Sequence, residues 1–190
     1  MFKQILFVIF VIFIYSCDRC EVEVIETKYE NGNKKGEYHY VNGKWEGIIT
    51  EWYENGQKKL EVNFVDGKED GIGIEWYENG QKKLEMNYVN GKADGIIIEW
   101  YENGQKYIEK NMINDKIEGL FTNWYENGKK KSEWNYVNDK EDGHVIQWYD
   151  DGSKKVEYDI ENGKIKGKIH HYKQYVSITV ESSLRISISN

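Results

Sequence analysis

Apolar and polar residues alternate along most of this chain in runs too short for helices, and turn pairs cut the runs at a regular interval. Ile48, Thr50 and Trp52 are followed by Glu54-Asn55-Gly56, then by Leu60, Val62 and Phe64, then by Asp66-Gly67. The succession returns as Ile72, Ile74 and Trp76 with Leu84, Met86 and Tyr88, and again as Ile96, Ile98 and Trp100 with Ile108 and Met112. Asn-Gly and Asp-Gly between short alternating runs are the strongest local hairpin signal. Turn pairs spaced this closely leave no room for an amphipathic helix of ordinary length. The pattern therefore predicts an all-β chain in which each unit is one hairpin.

The unit repeats every 24 residues without a slip. Gly47, Gly71, Gly95, Gly119, Gly143 and Gly167 mark it, and five residues after each of the first five stands Trp52, Trp76, Trp100, Trp124 or Trp148. Each tryptophan precedes Tyr53, Tyr77, Tyr101, Tyr125 or Tyr149, and each tyrosine precedes a turn ending in Gly56, Gly80, Gly104, Gly128 or Gly152. The terminal copies are imperfect, with Lys28 before Tyr29 and Tyr172 in a tryptophan position, as capping repeats commonly are.

Register follows from the turn. A three-residue loop, Glu54-Asn55-Gly56 with Gly56 left-handed, sets Tyr53 against Gln57, Glu51 against Lys59 and Thr50 against Leu60. Ile48, Thr50 and Trp52 then share an apolar face with Leu60, Val62 and Phe64, while Glu51 and Tyr53 share a polar face with Lys59, Glu61 and Asn63. A two-residue loop would slip the pairing by one and set Glu51 against Leu60. In the preferred register Glu75 lies beside Lys83 and Gln147 beside Lys155. The Trp ladder is read as core, since a thin sheet needs large side chains on its buried face. The Tyr ladder is a candidate recognition surface, with cross-strand stacking as its simpler explanation. Ser132 in the Leu60 slot is matched by Trp134 in the Val62 slot, whereas Lys110 in that slot has no such compensation.

These residues resemble the MORN repeat, in the variant with a Tyr-Glu-Asn-Gly turn, over residues 27–172. The resemblance implies an elongated, single-layer antiparallel sheet of consecutive hairpins. Many bacterial proteins with this variant are called YwqK-type antitoxins, so it also implies a toxin-neutralising or immunity role.

Met1-Phe2-Lys3 and the apolar run Ile5 to Tyr15 have the proportions of a secretory signal. The run is shorter than the roughly 20 residues of a spanning helix. Ile14-Tyr15-Ser16-Cys17 resembles a bacterial lipoprotein signal, which implies a signal peptide over residues 1–16, a lipid on Cys17, a tether over 17–26 and residence at the cell envelope. A plain secretory signal or an uncleaved anchor is the alternative. At the C-terminus, Val176, Ile178, Val180, Leu184, Ile186 and Ile188 alternate with polar residues, predicting cap strands within 173–190. Those strands either cover the last edge or offer it to a partner.

Composition narrows the partners. The 190 residues carry 33 acids against 26 bases, a formal charge of -7, which argues against nucleic acid and anionic lipid. No phosphate loop occurs, and Gly71-Ile72-Gly73-Ile74 lacks the third glycine and helix of a dinucleotide site. His170 and His171 are adjacent and so point to opposite faces of a strand; no metal site is expected. Asp70, Asp94 and Asp142 read as turn formers rather than calcium ligands. The repeated glutamates are too alike for one to be singled out as an acid or base. The sequence thus predicts a non-enzymatic, cofactor-free envelope scaffold that binds a protein partner and no small-molecule substrate, or else an antitoxin whose partner is a toxin.

Overall fold

A computed structural model describes residues 10–13 and 21–174. Cys17 and the alternating run from Val176 onward lie outside the described residues. The architecture is all-β: eighteen strand segments run from Val22 to His171 in one antiparallel sheet, and Phe10–Phe13, inside the stretch read as signal, pairs with Val22–Lys28 at its N-terminal edge. Strands pair only with chain neighbours, so the sheet is a single layer of successive hairpins.

Each copy contains one unbroken strand, such as Lys58–Val65, and one interrupted strand, such as Lys68–Glu69 continued by Gly71–Trp76. The interruption falls at Asp70, just before Gly71, whose φ of +89° kinks the chain. The hairpin from Val65 to Lys68 closes through Asp66 and Gly67, both left-handed with φ of 53° and 80°, the combination required by a type I′ turn. Later copies replace that glycine with Asp115 or Asp139, which nevertheless hold φ of 67° and 62°.

The other turn is the expected three-residue loop. Gly56 is left-handed at φ 87°, Tyr53 N–H donates to the Gln57 carbonyl at 2.8 Å, and Gly56 N–H donates to the Tyr53 carbonyl at 2.9 Å. Beyond the loop the expected register fails. Trp52 pairs with Lys58 and Glu51 with Leu60, leaving Lys59 as an unpaired bulge residue. The same bulge recurs between Glu75 and Trp76, Glu99 and Trp100, Asn123 and Trp124, and Gln147 and Trp148. One extra residue cancels the shift that the three-residue loop introduced, so Thr50 faces Glu61 rather than Leu60.

The Gly47–Trp52 strand is consequently turned over, while Leu60, Val62 and Phe64 stay on the core side as expected. Ile49, Val62 and Phe64 share one face with Glu51 and Leu60, and Ile49, Val62, Ile97, Val145, Val156 and Ile160 are the buried apolar residues. Ile48, Ile72, Ile96 and Leu120, expected on the core side, are more than half exposed. The tryptophans share their face with Thr50 and Glu61 and are half-buried rather than enclosed. Two irregular core positions are accommodated locally. Lys110 reaches Glu99 at 3.5 Å, so the lysine does have a compensating partner. Ser132 donates to Asn123 Oδ1, while Trp134 stacks on Phe121 at 4.7 Å.

Candidate binding surfaces

The repeated turn residues join one copy to the next. Tyr53 Oη donates to the Trp76 carbonyl at 2.7 Å, Tyr77 to Trp100 at 2.7 Å, Tyr101 to Trp124 at 2.8 Å and Tyr125 to Trp148 at 2.8 Å. Tyr149 continues the series more loosely, to the Tyr172 carbonyl at 3.3 Å. Burial raises the pKa of Tyr77, Tyr101 and Tyr125 above the ordinary tyrosine value. The ladder offered for recognition thus has its hydroxyls engaged within the array, and only part of each ring faces solvent.

Asn55 has a double role. Its Oδ1 accepts from Gln57 N–H at 2.9 Å, tightening its own turn, and its Nδ2 donates forward to the Glu78 carbonyl at 2.9 Å. Asn79 and Asn103 repeat both bonds. On the opposite edge, Asp70, Asp94 and Asp142 accept from the backbone of Asn90, Asn114 and Asn162 at 3.2, 3.1 and 3.0 Å. These aspartates therefore hold the next copy's turn. Asp115 and Asp139 accept in turn from Ala93 and Ile117 N–H, at 2.8 and 2.6 Å.

The bulge also separates the two lysines that follow each loop. Lys58 pairs with Glu61 and lies 5.7 Å over the Trp76 ring, whereas Lys59 reaches Glu51 at 3.1 Å. Lys82 and Lys83 repeat the division, with Lys82 over Trp100 and Lys83 against Glu75 at 3.1 Å. The Glu75–Lys83 pair expected from the sequence forms although the two residues are not directly opposite. Its hydrogen bond holds the Lys83 ammonium above the ordinary lysine range.

Two surfaces remain available. On the tryptophan face, Ile48, Ile72, Ile96 and Leu120 form a column beside the strand-end residues Val65, Val89, Ile113 and Val137, all at least 45% exposed. The column stops at His144, which pairs with Asp159 at 2.8 Å. On the other face a groove of about 380 Å³ opens between the first copies. Among the described residues no group of three or more His, Cys, Asp or Glu could hold a metal ion, and no helix is long and apolar enough to cross a membrane.

Fold and surface together define a β-hairpin repeat array, built from one module and stitched at its turns. The chain belongs to the MORN repeat variant family, which matches residues 24–42, 45–66, 69–90, 93–114 and 117–138. The hairpin Gly143–Trp148 with Lys154–Glu161 extends the same architecture past the last matched residue. No curated protein matches the chain.

Proposed function

We propose that this protein is a non-enzymatic binding scaffold, lipid-anchored through Cys17 at the bacterial cell envelope, that holds a protein partner along its tryptophan face. The exposed apolar column carries the reading. Eight exposed aliphatic side chains recur there at the repeat spacing, with Asn63, Asn87 and Asn111 opposite Ile48, Ile72 and Ile96 in the ladder, and exposed apolar side chains repeated among polar ones along one face mark an interaction surface. A partner presenting a complementary extended face would meet the same chemistry in four successive copies. Toxin neutralisation is a narrower form of this reading.

Pull-down from solubilised envelopes, using the wild type and Ile72→Glu/Ile96→Glu as baits, tests the reading. A stoichiometric partner retained by the wild type and lost by the variant, with unchanged melting, is the expected result; equal recovery by both baits would overturn the column as the docking surface. A captured protein that arrests growth when expressed alone would select the antitoxin form. Palmitate labelling that persists in Cys17→Ser would overturn the anchor.

A further inference from the structure

The groove on the Ile49 face arises where the repeat departs from its own rule. Ile49, Ile97, Phe121 and Val145 occupy equivalent positions, but the second copy has Gly73. Its φ is not left-handed, so the backbone does not require a glycine there. Tyr88 and Val62 close over the missing side chain, and beside them opens a cavity of about 380 Å³, against about 50 Å³ for the cleft beside Val145. A volume near the lower end of the small-molecule range suits a compact ligand.

The walls are aromatic. Trp45, whose counterparts in later copies are Glu69, Ala93, Ile117 and Glu141, has ring centroids of Tyr40, Tyr38 and Phe64 at 4.0, 5.6 and 6.0 Å. Tyr88 leans over Gly73, its ring 3.0 Å from where a β-carbon would stand. The charged lining residues are acidic: Glu69, opposite Phe64 in the ladder, and Glu75. Glu75 is paired with Lys83, but Glu69 forms no ion pair among the described residues. Burial, with Glu51 nearby, pushes the Tyr38 hydroxyl up to about 12, and burial with Glu69 and Glu75 raises that of Tyr88. Both phenols thus stay neutral and face negative charge.

Electron-rich ring faces and an unpaired carboxylate around a partly enclosed apolar groove attract an organic cation more than a neutral or anionic body of the same shape. We propose that the groove over Gly73 is a binding site for a small organic ammonium ion with an apolar body, with Trp45 and Tyr88 holding the body and Glu69 the charge. This adds a ligand class to the scaffold and does not depend on the protein partner.

The test uses the mature protein with three probes on one benzyl body: benzyltrimethylammonium, benzyl alcohol and phenylacetate. Binding is read by calorimetry and by the Trp45 indole N–H in ¹H–¹⁵N spectra. The ammonium should bind about tenfold tighter than the alcohol, shift the Trp45 signal and leave phenylacetate without measurable binding. Gly73→Ile, which installs the residue found in the flanking copies, should abolish binding. Glu69→Gln, at a partly exposed position, should weaken the ammonium about fivefold while leaving benzyl alcohol unchanged, and it remains informative if crowding against Tyr88 unfolds Gly73→Ile. Equal affinity for cation and alcohol, wild-type ammonium affinity in Glu69→Gln, or ammonium binding that leaves Trp45 unshifted would overturn the proposal.

Discussion

The two long edges of the array do the same job with different chemistry. On the Tyr-Glu-Asn-Gly edge, a tyrosine and an asparagine donate forward to backbone carbonyls, and the bonds barely change in length from Tyr53 to Tyr125. On the Asn-Gly edge, side-chain carboxylates accept from backbone N–H groups instead, and residue types drift: Glu46, Asp70, Asp94, Glu118 and Asp142 serve in turn. The first edge demands a ring of fixed length aimed at a half-buried carbonyl, so it tolerates little change. The second needs only a carboxylate in reach of an exposed amide. Strict repetition at the turns reports stacking geometry, whereas the groove proposed for a small ligand lies where repetition lapses, at Gly73.

Substitutions on each edge can break this contrast. Gly80→Val should have the largest effect, because a β-branched residue is strained at φ +84°; a loss of about 2 kcal/mol in urea denaturation is expected. Tyr77→Phe deprives the Trp100 carbonyl of its donor and should cost about 1 kcal/mol. Asp94→Ala, on the permissive edge, should cost about 0.5 kcal/mol by the same measurement; a loss equal to that of Tyr77→Phe would erase the distinction between edges. Lys83→Ala removes an exposed pair and should cost at most about 0.3 kcal/mol, vanishing in high salt.

Tyr38 makes stability depend on pH only in the alkaline range. Its folded pKa of about 12 exceeds the ordinary value of 10.0, so its contribution is complete below pH 10 and is lost as pH rises towards 12. Tyr38→Phe should therefore flatten the fall in melting temperature across that window.

The hairpins, the period and the three-residue loop were legible because each rests on a local signal: Asn-Gly pairs, and a glycine at a left-handed site. The bulge was not, since Ile48-Ile49 offers an apolar side chain to either face and Lys58-Lys59 a cation to either face. Composition could not choose between registers one residue apart, and the choice made exposed Ile72 look like core. Asp70, Asp94 and Asp142 read as turn formers, but none lies in a turn of its own; each holds the turn of the following copy, a relation across 20 residues that no local pattern reveals. Gly73 stood in plain view within a glycine-rich stretch, and the informative comparison was with Ile49 and Ile97 rather than with a phosphate-binding motif.

The forward bonds have one more consequence. Tyr77 and Tyr101 each grip a carbonyl 23 positions ahead, so excising residues 77–100 joins Trp76 to Tyr101 and leaves every remaining grip with an equivalent target. The molecule is divisible in whole modules, as a ruler is at its marks. Gene-level gain or loss of 24 codons changes its reach without any repair of the seam, whereas a cut that is not a whole number of modules misaligns the grips across it.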